Sequence, residues 1–230
     1  RLKGIDASKA LAMPGVHRVF TVADIPGRNV NPLVLDDQPF LASEFVKFHG
    51  EPVALIAADT QEQAFAAAAA VKLDIEPLKP ILSIRESLEP SAPRLYKNDN
   101  IFSRYVIRHG DLEAAFAKAV HIFEREYETP YQEHAYLETQ GMIAVPGIEG
   151  SMTVYGSMQC PFYVHDAVSD ILGCQRNKVR IIQTTTGGGF GGKEDFPSIL
   201  AGHASMIAHL LERPVKLVYK REEDIIASSK

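Results

Sequence analysis

The segment Thr184-Thr185-Thr186-Gly187-Gly188-Gly189-Phe190-Gly191-Gly192-Lys193-Glu194 constrains this chain more than any other. Five glycines in six positions remove side chains and admit positive φ, at a backbone-entropy cost that makes sense where something must approach the main chain closely. The hydrophobic pattern puts a strand before the segment, over 178–184, and a helix after it, over 197–211. Helix-end N–H groups at such a junction favour an anion. Four readings compete. Gly187, Gly189 and Gly192 satisfy the dinucleotide pattern G-x-G-x-x-G, with Glu212 about 20 residues on as the ribose-binding acid. Against this, the unit ends the chain with no second strand–helix–strand half. Gly187-x4-Gly192-Lys193 fits the start of a P-loop, but Glu194 stands where magnesium needs a Ser or Thr hydroxyl, and its charge repels phosphate. A third reading is a loop packed on a large anionic cofactor, presenting Phe190 and Glu194 to a substrate. The fourth is a tight turn without a ligand.

At 230 residues, the chain has room for one or two domains. With 46% hydrophobic and 23% charged residues it can bury a core, which excludes wholesale disorder. A net charge of −5 argues against a general nucleic-acid or anionic-membrane binder. Two cysteines, Cys160 and Cys174, are too few for a structural zinc site, an iron–sulfur cluster or a disulfide framework. They are expected to be free, buried thiols in a reducing cytoplasm. No run of about 18 apolar residues predicts a membrane span. The start, Arg1-Leu2-Lys3-Gly4, has neither an initiator Met nor a signal-peptide pattern, so the chain is expected to lie inside a longer one.

Along the chain, Asp6 is expected to cap a short helix over 7–12, followed by a strand over 16–22. Residues 24–40, with Pro26, Gly27, Asn29, Asn31, Pro32, Asp36, Asp37 and Pro39, read as a long surface loop. A strand over 51–58, an Ala-rich helix over 61–70 capped by Thr60 and Gln63, and a strand over 71–76 imply a small mixed α/β unit. Residues 78–104, with Pro80, Pro90 and Pro93, read as a stiff interdomain linker. The second section, 105–230, opens with a helix over 112–119 capped by Asp111 and a strand over 120–129. A hairpin follows, 142–145 with 151–155, then a helix over 163–172 ending at Gly173, and a last strand over 214–219. The fold class is α+β.

A second constellation follows Pro130: Tyr131-Gln132-Glu133-His134-Ala135-Tyr136-Leu137-Glu138-Thr139-Gln140. It concentrates amides, carboxylates and an imidazole, but it is not H-E-x-x-H and does not indicate zinc. Alone, it reads as a loop with Glu133 and His134 hydrogen-bonded and Gln132 solvated. The other histidines show no cluster spacing.

Together, Q-E-H-x-Y-L-E-T and G-G-G-F-G-G-K-E, in this order and about 55 residues apart, resemble the molybdenum-binding part of the xanthine dehydrogenase and aldehyde oxidase family. Gly50-Glu51-Pro52-Val53-Ala54 and Met13-Pro14-Gly15-Val16 are similar to that family's hammerhead domain. The resemblance implies a hammerhead domain over 1–77, a linker, and the first part of a molybdopterin-binding domain over 105–230. It implies a molybdopterin cofactor, with or without an attached nucleotide such as cytosine, whose dithiolene supplies the metal's sulfur ligands. Gln132 matches the glutamine near an oxo ligand of molybdenum. Gly189, Phe190 and Gly191 match the loop that passes the metal, with no direct side-chain ligand. Glu194 matches the substrate-binding glutamate of purine-hydroxylating members, which aldehyde-oxidising members usually lack.

The implied reaction is hydroxylation of a purine or other N-heterocycle with water as oxygen source. Electrons would pass to 2Fe–2S and FAD groups on other domains or subunits of a cytoplasmic oligomer. The family's general-base glutamate lies well downstream of the glycine loop and has no match here, so the chain by itself is expected to be inactive. A dinucleotide-binding module, an aldehyde oxidase-type enzyme and a non-catalytic scaffold remain the alternatives.

Overall fold

The computed structural model describes residues 1–229. Two compact units form. One combines Arg1–Glu76 with Gln132–Lys230, and the other is Pro77–Tyr131.

In the first unit, β1 (Leu2–Asp6) leads into the four-residue α1 (Ser8–Leu11) and β2 (Val16–Phe20). Asp6 is not the cap expected of it: Ala7 is the N-cap of α1 and makes no side-chain cap, while Asp6, one residue earlier, accepts from the Ser8 N–H at 3.0 Å. Then come β3 (Leu55–Ala58), α2 (Gln61–Ala70) and β4 (Lys72–Ile75). The expected cap of α2 is present: Thr60 Oγ1 accepts from Gln63 N at 3.2 Å, and Gln63 Oε1 accepts from Thr60 N at 3.0 Å. The strand–helix–strand order holds, but β3 and β4 do not share a sheet. β1 pairs antiparallel with β4, and β2 with β3, in two separate ribbons. Strand β1 has no clear signal in the sequence, because Leu2-Lys3-Gly4-Ile5-Asp6 is short and carries a glycine.

The same unit contains β5 (Gly141–Pro146), β6 (Met152–Gly156), α5 (Pro161–Leu172), β7 (Val179–Gln183), α6 (Pro197–Leu211), β8 (Val215–Val218) and α7 (Arg221–Ala227). The four strands form one mixed sheet in the order β7-β6-β5-β8. Neighbours β6 and β7 run parallel, and the other two pairs are antiparallel. Alternation along β5 and β6 turns Met142, Ala144, Met152 and Val154 into the core. Helices α5 and α6 pack on one another and cover the core side of the sheet. Helix α5 starts two residues before its expected position, with Pro161 in its first turn, and ends at Gly173 in the left-handed conformation.

The 24–40 loop differs from expectation. It is irregular, but it is not wholly on the surface: Phe40, Leu41 and Ala42 at its end are fully buried. Phe40 and Leu41 belong to the same core cluster as α5 and α6. Asn29 holds the turn back onto the loop, donating to the Leu41 carbonyl at 2.7 Å and accepting from its N–H at 3.0 Å. The cysteines are free but only half-buried. No helix among the described residues is long and apolar enough to cross a membrane.

The second unit holds α3 (Ile84–Leu88), capped by Ser83, and α4 (Leu112–Lys118), capped by Asp111 as expected. The strand expected over 120–129 does not form. Val120, Ile122, Phe123 and Tyr127 are exposed. An alternating pattern becomes a strand only when a neighbour supplies hydrogen-bonding partners, and this unit has no strand.

Candidate functional site

The glycine loop leaves β7 and is held from beneath by the 132–140 segment and by the 156–159 turn after β6. Glu138 makes the first clamp. Its carboxylate accepts from Gly187 N at 2.7 Å, while its own N–H donates to Gly187 O at 3.2 Å. Gln159 makes the second. Its Oε1 accepts from both Gly191 N at 3.1 Å and Lys193 N at 3.2 Å, and its N–H donates to Lys193 O at 2.6 Å. The glycine at 189 is required by close approach: a Cβ there would stand 2.4 Å from Gln159 Oε1. Gly191 is required by conformation, with φ at +94°.

Under the loop lies Lys193, fully buried. Its ammonium donates to Glu138 Oε2 at 2.8 Å and Ser157 Oγ at 3.0 Å, and it sits 4.8 Å from the centre of the Tyr136 ring. The Tyr136 hydroxyl donates to Asp224 Oδ1 at 2.8 Å and accepts from Gln140 Nε2 at 2.8 Å. Gln140 Nε2 also reaches Gly192 O at 2.7 Å. Arg221 closes the far side, donating to the carbonyls of Tyr136 and Leu137 at 2.7 and 2.8 Å. Burial, reinforced by the Asp224 carboxylate, pushes the Tyr136 phenol well above its ordinary value, so it stays protonated and donates. Partial burial raises the Glu138 carboxyl. The hydrogen bonds from Lys193 and Gly187, with the Lys193 charge, outweigh this and bring it down to about 2.

The sequence motifs meet here: His134 stacks on Tyr136 at 6.5 Å, and both rings lie against Gly192. The upper face of the loop is open. Phe190 is 78% exposed, with φ at +52°, and Glu194 is exposed. Neither Lys193 nor Arg221 pairs with Glu194, since Lys193 takes Glu138 and Arg221 takes Asp224. The backbone N–H groups of Gly188, Gly189 and Phe190 have no acceptor among the described residues. His134 Nδ1 is buried and without a partner among them. Gln132 is exposed at the start of the segment and makes no hydrogen bond among the described residues. Sequence reasoning missed Ser157, Gln159, Asp224 and Arg221, which lie on separate elements. Only the acidic first turn of α7 left a local trace.

The arrangement disfavours the dinucleotide and phosphate-loop readings. A dinucleotide unit needs the strand after the helix to join the strand before it in parallel. Here β8 pairs antiparallel with β5, at the opposite edge of the sheet from β7. Glu212 is the C-terminal cap of α6, the whole length of that helix away from the loop.

Comparison with known proteins gives the family. Residues 95–230 match the molybdopterin cofactor-binding domain, and residues 1–79 match the aldehyde oxidase and xanthine dehydrogenase a/b hammerhead domain. The chain is 34% identical over 230 residues to the nicotinate dehydrogenase large molybdopterin subunit of Eubacterium barkeri, covering 100% of this chain and 54% of that one. It is 33% identical over 224 residues to the xanthine dehydrogenase of Dictyostelium discoideum, covering 97% of this chain and 16% of that one. The chain thus spans about half, or less, of these relatives' length. The aldehyde oxidoreductase structure from Desulfovibrio desulfuricans superposes with a TM-score of 0.88 at 26% identity, over 100% of this chain and 26% of that one. The chain belongs to the aldehyde oxidase and xanthine dehydrogenase family, carrying its hammerhead region followed by residues of its molybdopterin cofactor-binding domain.

Proposed function

We propose that this chain supplies part of the cofactor pocket of a molybdenum hydroxylase acting on a purine or other N-heterocycle. The observation that carries the reading is the glycine loop: clamped from below, it leaves three consecutive N–H groups without an acceptor and the exposed Glu194 carboxylate without an ion-pair partner among the described residues. Such donors fit a group rich in oxygen acceptors that brings its own sulfur ligands to the metal. When bound, the molybdopterin cofactor supplies oxygen-transfer and two-electron redox chemistry.

The chain's own residues hold and orient. The N–H groups of Gly188, Gly189 and Phe190 bind acceptor oxygens. Gly191 allows the loop to approach closely, and the Gln132 amide orients an oxygen of the cofactor. The Phe190 ring covers the site against water. Glu194 accepts a hydrogen bond from a ring N–H of the substrate, and its freedom from Lys193 and Arg221 supports that role over a structural ion pair. Domain limits of 1–77 and 105–230, partner domains or subunits carrying 2Fe–2S and FAD, a cytoplasmic location and an oligomeric assembly belong to the same proposal. So does a general base outside this chain.

The test is Glu194→Ala in the full-length protein. Molybdenum and pterin content should stay at the wild-type level. The specificity constant for a purine substrate should fall by roughly 100-fold, because a site built to hydrogen-bond a substrate N–H loses its partner. Loss of molybdenum, or unchanged turnover, would refute the assignment.

A further inference from the structure

The tip of the glycine loop is a four-residue turn, Gly189 to Gly192, closed by Gly192 N donating to Gly189 O at 2.8 Å. Its two central residues both have positive φ, Phe190 at +52° and Gly191 at +94°, the pattern of a type I′ turn. Glycine takes that conformation freely. A bulky residue such as Phe190 is strained there and stays only where its surroundings enforce it. The ring is not the restraint, because it is 78% exposed.

The restraint lies in the peptide plane that leaves the turn. Two side-chain amides hold its two ends: Gly192 O accepts from Gln140 Nε2 at 2.7 Å, and Lys193 N donates to Gln159 Oε1 at 3.2 Å. Relaxing Phe190 to negative φ would reverse the twist of the turn and swing this plane away from both. Gln140 is fully buried, and a chain of hydrogen bonds ending in a carboxylate fixes its amide. Its second Nε2 hydrogen goes to the Tyr136 hydroxyl oxygen at 2.8 Å. That oxygen can accept because the hydroxyl gives its own hydrogen to Asp224 Oδ1 at 2.8 Å. Asp224 is 1% exposed, with Arg221 3.7 Å from its other oxygen, and a carboxylate so placed only accepts. The Ser228 hydroxyl gives its hydrogen to the Asp224 main-chain oxygen at 2.6 Å. The relay therefore runs in one direction. An amide in place of the carboxylate both donates and accepts, so it would no longer set that direction.

We propose that Gln140, aligned through Tyr136 by Asp224, is a positioning residue that keeps Phe190 left-handed, and with it the aim of the Gly188, Gly189 and Phe190 N–H groups. The bearing of this relay on a cofactor rests on the function proposed above; the relay itself does not. The test uses the 230-residue chain labelled with ¹⁵N. The nuclear Overhauser effect between the amide and α protons of Phe190 is strong only at positive φ. It should be lost in Gln140→Leu and in Asp224→Asn, although the Asp224 carboxylate stands three hydrogen bonds from Gly192. Ser157→Ala, which removes a hydrogen bond from the Lys193 ammonium under the same loop, should keep it. Should the first two variants fail to fold, Tyr136→Phe, which retains the ring beside Lys193, breaks the same relay and should lose the effect. In the full-length protein, Asp224→Asn should alter the electron paramagnetic resonance signal of the reduced molybdenum centre. An effect that survives Gln140→Leu or Asp224→Asn, or that Ser157→Ala also abolishes, would overturn the relay. An unaltered resonance signal would overturn its bearing on the cofactor. A wild-type full-length protein without molybdenum would instead refute the function proposed above, and the Phe190 measurement would still decide the relay.

Discussion

The Lys193–Glu138 pair is asymmetric, and the asymmetry can be measured. The lysine side chain is fully buried, while the glutamate side chain is 43% exposed. Removing one partner of a buried pair strands the other, and the cost depends on whether water reaches what is left. Glu138→Gln leaves an ammonium that water cannot reach, with neutral acceptors and the Tyr136 ring as its company. The expected loss is about 3–5 kcal/mol. Lys193→Met leaves a carboxylate that is half in water and still accepts from Gly187 N. Its cost is about 1–2 kcal/mol, most of it lost hydrogen bonds and cation–π contact. The double variant has no stranded charge and should be more stable than Glu138→Gln by about 1 kcal/mol or more. Urea unfolding of the 230-residue chain at pH 7, read by circular dichroism, gives all four stabilities. If Lys193→Met proves as costly as Glu138→Gln, or the two costs simply add, burial does not govern this pair and the reasoning fails.

Three further outcomes follow from other contacts. His203 titrates at about 4 instead of 6.5, so the unfolded chain takes up this proton first as pH falls. Its contribution is fully present above pH 6.5 and is lost between 6.5 and about 4, amounting to about 3 kcal/mol. His203→Gln should flatten that part of the stability–pH curve, and an unchanged slope would contradict the assignment. Gly189→Ala, whose Cβ would meet Gln159 Oε1 at 2.4 Å, should displace the Gln159 clamp and lower molybdenum content in the full-length protein; normal loading would show that the clamp is dispensable. Gly202→Ala would gain about 1 kcal/mol of helix propensity if the site were open. A Cβ there stands 2.4 Å from the Phe40 ring, so a net loss of about 1–2 kcal/mol is expected in thermal unfolding, and Phe40→Leu should partly restore it.

Local chemistry is legible in the sequence, and long-range pairing is not. Thr60 and Gln63 announce the start of α2, Gly173 the end of α5, and the 141–156 alternation its hairpin, because each signal lies within a few residues of what it determines. The 120–129 alternation is just as clear, yet it forms no strand, since a strand's partner is not written in its own residues. Strand β1 escapes a sequence reading for the converse reason: its pairing with β4 spans most of the hammerhead region. At the site, the two motifs that touch the loop are legible. The supports beneath it, Gln159 on one side and Asp224 with Arg221 on the other, are not. Ordinary polar residues become anchors only through the tertiary fold.

Phe40 and Gly202 bear on how such enzymes can be recombined. The phenyl ring from the hammerhead region occupies the space a side chain on α6 would need, and Leu41 enters the same core. The Phe40 carbonyl also fixes the His203 tautomer. A hammerhead region transplanted from a relative, joined anywhere between residues 79 and 95, would therefore bring its own plug to a foreign socket. Chimeras should fold well only when the loop ending at Phe40 travels with the matching face of α6, whatever the join looks like in an alignment.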